Sequence, residues 1–161
     1  MTDTLLALAE LAVAITGFAS IVLVFQRRES GRWERGGANS FNGMLFHSMT
    51  ALVFCLLPVV LAAFGLPAER LWRIASCLLG AVTLVHAPFV GLVLLRERPL
   101  AERLYVLGLE LPIAALLLAF AFGALSRAGA GLFIAALCAQ ILQAAILFFR
   151  AALVRRDQME D

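Results

Sequence analysis

Four side chains place ionisable chemistry inside otherwise apolar runs of this sequence: Glu10, His47, His86 and Glu110. Imidazole and carboxylate both exchange protons, and each costs roughly 2.5–3.5 kcal/mol or more to hold at hydrocarbon depth, so they demand partners. His86 and Glu110 each stand twelve positions from Arg98, one on either side, so two helices that turn back at that arginine bring them level. A carboxylate beside an imidazole lowers the joint cost of burial, because one shared proton replaces two separate desolvated charges. Each is followed two residues later by proline, in His86-Ala87-Pro88 and Glu110-Leu111-Pro112. Proline removes an amide donor and frees the carbonyl four residues back, here Leu84 and Gly108. Freed carbonyls beside ionisable side chains suit a water or a cation. This reads as a proton or ion pathway, or the site of a small transporter. Gln143 reaches a similar depth, His47 extends the group toward the cytoplasm and Glu10 serves as an outer station.

Other readings of the same residues are simpler. Gln140 and Gln143, three apart on one face that Arg150 continues, suit hydrogen-bond glue between helices, worth about 0.6 kcal/mol per contact. His47 falls near enough to the inner interface to be partly wet, Glu10 shares a contact-like stripe with Ala7, Ala14 and Gly17, and Pro58, Pro88 and Pro112 kink their helices. If all the polar residues are glue, the chain is a non-catalytic scaffold or an accessory subunit of a larger membrane complex. A b-type haem held by His47 and His86 is a third reading, but it needs both rings at one depth, and helical rise leaves them about 8 Å apart. No other cofactor and no metal site is expected: Cys55, Cys77 and Cys138 lie singly within apolar runs, without metal-ligand spacing. No phosphate-binding loop, metalloprotease motif or nucleophile elbow occurs, so no catalytic residue is assigned.

The elements that must position these residues follow from composition. Of 161 residues, 63% are hydrophobic and 15% charged, and the mean hydropathy is +0.96, which excludes a soluble globule. The net charge of +2 and the short, acid-interrupted basic stretches exclude a nucleic-acid binder. About 20 apolar residues cross a bilayer, and five runs qualify: 5–25, 43–64, 74–95, 104–125 and 129–149. The predicted fold is therefore all-α: one polytopic domain of five transmembrane helices with no soluble domain. The first run follows Asp3 without a basic segment, so it reads as a retained span rather than a cleaved signal.

All 13 basic residues are arginine. Arg27, Arg28, Arg32 and Arg35 follow the first run, Arg96, Arg98 and Arg103 the third, and Arg150, Arg155 and Arg156 the fifth; only Arg70, Arg73 and Arg127 fall on the other side. By the positive-inside rule the N-terminus faces out and the C-terminus is cytoplasmic. The first inner loop, with Arg27, Arg28, Arg32, Trp33 and Arg35, suits contact with anionic lipid headgroups. Pro67 with Glu69 and Pro99 with Glu102 mark helix starts, and Asn39 or Ser40 is placed to cap the second helix. Small residues four apart, Ala12-Thr16-Ser20, Ala115-Ala119-Gly123 and Gly131-Ala135-Ala139, allow close helix contact and predict a homo-oligomer. The run Gly17 to Phe25, with Arg27 and Arg28 just beyond it, resembles small bacterial membrane proteins, which implies nothing about activity; the expected location is the inner (cytoplasmic) membrane, crossed several times. The arginine asymmetry predicts that a reporter fused after Asp161 is active only in its cytoplasmic form; a periplasmic signal would overturn the threading.

Overall fold

The computed structural model describes the backbone of residues 1–30, 35–89, 100–124 and 129–153, and the side chains of residues 1–21, 41–89, 107–124 and 129–149. Five helices and no strand occur among them: α1 (Thr2–Ser30), α2 (Arg35–Ala63), α3 (Ala68–Pro88), α4 (Leu100–Ala121) and α5 (Gly129–Leu153). Four carry stretches long and apolar enough to cross a bilayer, Thr2–Ile21, Phe41–Ala63, Ala68–Pro88 and Gly129–Phe149, while in α4 the described apolar stretch is the shorter Leu107–Ala121. The protein is an all-helical membrane protein with transmembrane helices.

The helices do not stop where the apolar runs stop. α1 continues to Ser30 and α2 begins at Arg35, so Asn39 and Ser40, expected as caps, lie inside α2. An apolar run marks the part of a helix that hydrocarbon can accept, whereas backbone hydrogen bonding carries the helix on through polar residues. α3 starts at Ala68, six residues before the apolar run at Ile74 and where Pro67 and Glu69 mark a helix start; Pro67 occupies its N-cap (φ −57°, ψ 141°), one position before the first helical turn. Proline fixes φ and gives up no needed amide there. The side chains of Arg27, Arg28, Arg32, Trp33, Arg35, Arg96, Arg98, Arg103, Arg127, Arg150, Arg155 and Arg156, and the start at Pro99, lie outside the described residues.

The chain packs as two compact units, Met1–Leu56 with Leu137–Asp161, and Leu57–Ala136. In the first, small residues of α1 meet α2 and α5. Ala12, Ala51 and Ile141 form one buried cluster with Leu8, Ile15 and Leu52 around it, and Ala19, Met44 and Ala144 form another. Thr16 and Ser20 turn their hydroxyls back onto their own helix, donating to the carbonyls of Ala12 at 2.9 Å and Thr16 at 2.8 Å. Short side chains and internally satisfied hydroxyls let helices approach closely in lipid, where apolar burial drives little association.

In the second unit α3 and α4 pack against each other. The buried face of α3 runs Leu71, Ala75, Ser76, Leu79, Gly80, Thr83 and Ala87, a helical stripe; Ala114, Leu117 and Phe120 of α4 are buried too, and Gly80 lies against Leu117 and Leu118. Two left-handed glycines close the helices that enter and leave this pair. Gly65 (φ 76°) ends α2 and Gly123 (φ 89°) ends α4. At each, the glycine amide bonds the carbonyl three residues back, Ala62 at 2.9 Å and Phe120 at 3.0 Å, and the next amide bonds the carbonyl five back. This is the paired cap in which a residue without Cβ satisfies the last carbonyls.

Gly80 sets how close α3 and α4 come. A Cβ there would sit 3.0 Å from Leu118 Cγ and 3.2 Å from Leu117 Cβ. Gly80→Ala therefore forces the helices apart and lowers stability by about 1–3 kcal/mol. Gly108→Ala on α4, where a Cβ meets nothing within 4 Å, stays within about 0.5 kcal/mol of wild type. Thermal unfolding of both variants in one detergent checks the contrast, and equal losses would refute it.

Candidate functional site

The register that Gly80 fixes against Leu117 and Leu118 also fixes the polar pair. Six residues on along α3 is His86, seven back from Leu117 is Glu110, and antiparallel helices bring the two to one level. His86 Nδ1 lies 3.0 Å from Glu110 Oε2, with the side chains 11% and 3% exposed. Glu110 begins the buried stripe of α4, four residues before Ala114. His86 stands beside the buried Ala87, one turn beyond the buried Thr83. The site thus combines the last turn of α3, where Phe89 N–H bonds the His86 carbonyl, with the middle of α4.

A hydrogen bond between an imidazole nitrogen and a carboxylate oxygen contains one proton, carried either by Nδ1 or by the carboxyl group. The pair can therefore hold a proton on either partner with little movement of the ring, and the second ring nitrogen, Nε2, is a separate point of proton exchange. The two prolines act differently from expectation. Residues two apart on a helix point about 200° apart: Leu84 and Gly108, whose carbonyls lose their proline-side donors, lie on exposed faces, while His86 and Glu110 turn inward. Pro88 and Pro112 each take one amide donor from their helix, and the carbonyls they free do not face the polar pair.

Two of the other expected site residues pair with each other. His47 and Gln140 belong to the first unit, where His47 Nδ1 lies 2.6 Å from Gln140 Oε1 and the ring packs edge-on to Phe46 at 5.6 Å. An amide oxygen only accepts, so Nδ1 is the donor, and a neutral ring then keeps its lone pair on Nε2. His47 is buried, not partly wet. The residue on α5 that it meets is Gln140; Gln143, a turn further on, is buried with its Nε2 bonded to no protein group among the described residues. Glu10 is exposed, as are Ala7, Ala14 and Gly17 around it, so this stripe is not buried against another helix among the described residues. Pro58 is buried inside α2. Compared with family models, curated proteins and solved structures, the chain matches none.

Proposed function

We propose that His86 and Glu110 form one coupled, proton-exchanging site within the membrane, and that the protein is a proton or ion pathway or a small transporter built around it. The observation that carries this reading is the 3.0 Å contact between His86 Nδ1 and Glu110 Oε2, with the carboxylate side chain 3% exposed, in a protein whose helices suit hydrocarbon. Helix association alone is served by neutral contacts such as His47 with Gln140, and an ionisable pair adds cost without adding adhesion. Proton transfer through the site has a defined course. A proton arriving at Nε2 makes the ring cationic beside the carboxylate, and the Nδ1 proton passes to Oε2, leaving a neutral ring protonated on Nε2 beside a carboxylic acid; the starting state returns when the acid releases its proton and the ring turns over to present an N–H to the carboxylate.

In this reading the N-terminus faces out, the C-terminus is cytoplasmic and the protein resides in a bacterial inner membrane, as the arginine distribution supports. Lipid headgroups meet the arginines of the first inner loop. The chain is a homo-oligomer: Ala115, Gly131 and Ala135 leave small, exposed positions on α4 and α5 that suit close packing with a neighbouring copy. Mass measurement in nanodiscs checks this, and a strictly monomeric particle would refute it.

Flux through proteoliposomes tests the site. Wild type carries protons or ions above empty liposomes, His86→Ala and Glu110→Gln fall toward the empty-liposome level, and Glu110→Gln costs about 1 kcal/mol of stability or less. Equal flux in all three, or none in wild type under varied gradients, would favour a scaffold in which the pair only joins α3 to α4.

A further inference from the structure

His86 and Glu110 offer two of the ligand types that metal ions meet in proteins, an imidazole nitrogen and a carboxylate oxygen. Spacing in the sequence concealed this, because the two come from different helices and stand 24 residues apart, whereas local metal motifs set ligands within a few residues of each other. Ligands that share an ion lie close together. With bonds of about 2.0–2.2 Å, two ligand atoms are about 3 Å apart where they meet the ion at a right angle and about 3.4 Å apart in a tetrahedron. His86 Nδ1 and Glu110 Oε2 are 3.0 Å apart. The lone pair of Nδ1 has to leave the line to the carboxylate and point at the ion, a turn of the ring by about 40° in the same geometry. The terminal torsion of histidine is soft enough to allow it. Gly80, lying against Leu117 and Leu118, keeps α3 and α4 at their separation while the ring moves.

The ligand set selects a class of ion. Imidazole suits zinc, iron, nickel and divalent copper, whereas magnesium and calcium take oxygen ligands. Monovalent copper prefers thiolate and thioether. Cys77, on the same helix as His86, lies nine residues before it, about 13.5 Å along the axis by helical rise, and the second unit contains no methionine. A single carboxylate leaves a divalent ion one charge short of neutral, and the side chains are only 11% and 3% exposed, so the ion is held weakly. That suits an ion in transit, where a permanent structural ion takes four protein ligands. We propose that the His86–Glu110 pair binds a divalent transition-metal cation through Nδ1 and Oε2, and that this cation is the ion the pathway carries. The second part rests on the pathway reading; the binding site does not. On binding, two metal–ligand bonds replace the Nδ1–Oε2 hydrogen bond, its proton leaves to water, and no oxidation state changes.

Equilibrium binding of zinc, nickel and divalent cobalt to the untagged protein in detergent tests the site, with Cys55, Cys77 and Cys138 replaced by alanine so that thiols contribute nothing. The cysteine-free protein binds these ions, and magnesium and calcium in large excess do not displace them. His86→Ala and Glu110→Gln each lower the affinity about tenfold or more. Glu110→Gln leaves Nδ1 an amide oxygen to donate to, so the fold survives, as thermal unfolding verifies. Added metal raises the unfolding temperature of the cysteine-free protein and leaves that of both variants unchanged. Binding that persists in both variants, or that magnesium displaces, overturns the site. Proteoliposomes holding a metal-sensitive dye, beside others holding a pH-sensitive one, separate the site from the pathway. Metal flux that falls in both variants supports the whole proposal. Proton flux without metal binding overturns it and leaves a proton pathway standing, while metal binding at the pair with no flux of either ion upholds the site and overturns transport.

Discussion

Hydrocarbon offers no hydrogen bond, and each polar group carried into it must find its partner within protein. For the backbone that requirement selects helices, and the described residues are helical nearly throughout. For side chains it selects pairs. Thr16 and Ser20 use carbonyls of their own helix, His47 uses Gln140, and His86 uses Glu110. These solutions differ in what they leave behind. The first two hydroxyls are spent locally and the histidine–amide contact joins two helices, whereas the histidine–carboxylate contact joins α3 to α4 through two groups that can each carry a proton.

The distance between α3 and α4 connects packing to this chemistry. A hydrogen bond of 3.0 Å tolerates only a few tenths of an ångström of displacement before it weakens. The missing side chain at Gly80, two turns away, lets Leu117 and Leu118 seat against α3 and so holds the helices at the separation and register that the bond needs. The apolar part of the stripe and the polar pair at its end therefore form one mechanical element, in which the glycine controls geometry and the ionisable groups exploit it.

Much of this was legible in sequence because the dominant signals are local. Apolar runs of about 20 residues mark membrane-crossing helices, and equal spacing from a turn puts His86 and Glu110 at one level without knowledge of any contact. What was not legible depends on angle rather than depth. Depth placed Gln143 near the polar group, but the side of α5 that meets His47 carries Gln140. Spacing placed the proline-freed carbonyls beside the site, but two residues along a helix is more than half a turn, and they face away. The direction of Glu10 could not be read because both faces of α1 are rich in small residues, and only packing distinguishes the used face from the open one. Helix ends were displaced for a related reason: hydropathy reports the solvent of a segment, not the extent of its hydrogen-bond ladder.

The link between α2 and α3 spans only residues 64–67, yet Gly65 and Leu66 return their amides to the end of α2 and Pro67 has none to offer. Such a turn is already saturated. It presents no extended strand for a protease to thread into its active site and no run of free amides for a soluble protein to pair with. Reagents approaching the second unit at this turn meet Phe64, an exposed aromatic ring, and the Arg73–Glu69 ion pair of the first turns of α3, rather than a flexible epitope. An inserted tag here must unwind a helix cap before it can be displayed, so this turn is a poor place for labels and affinity handles.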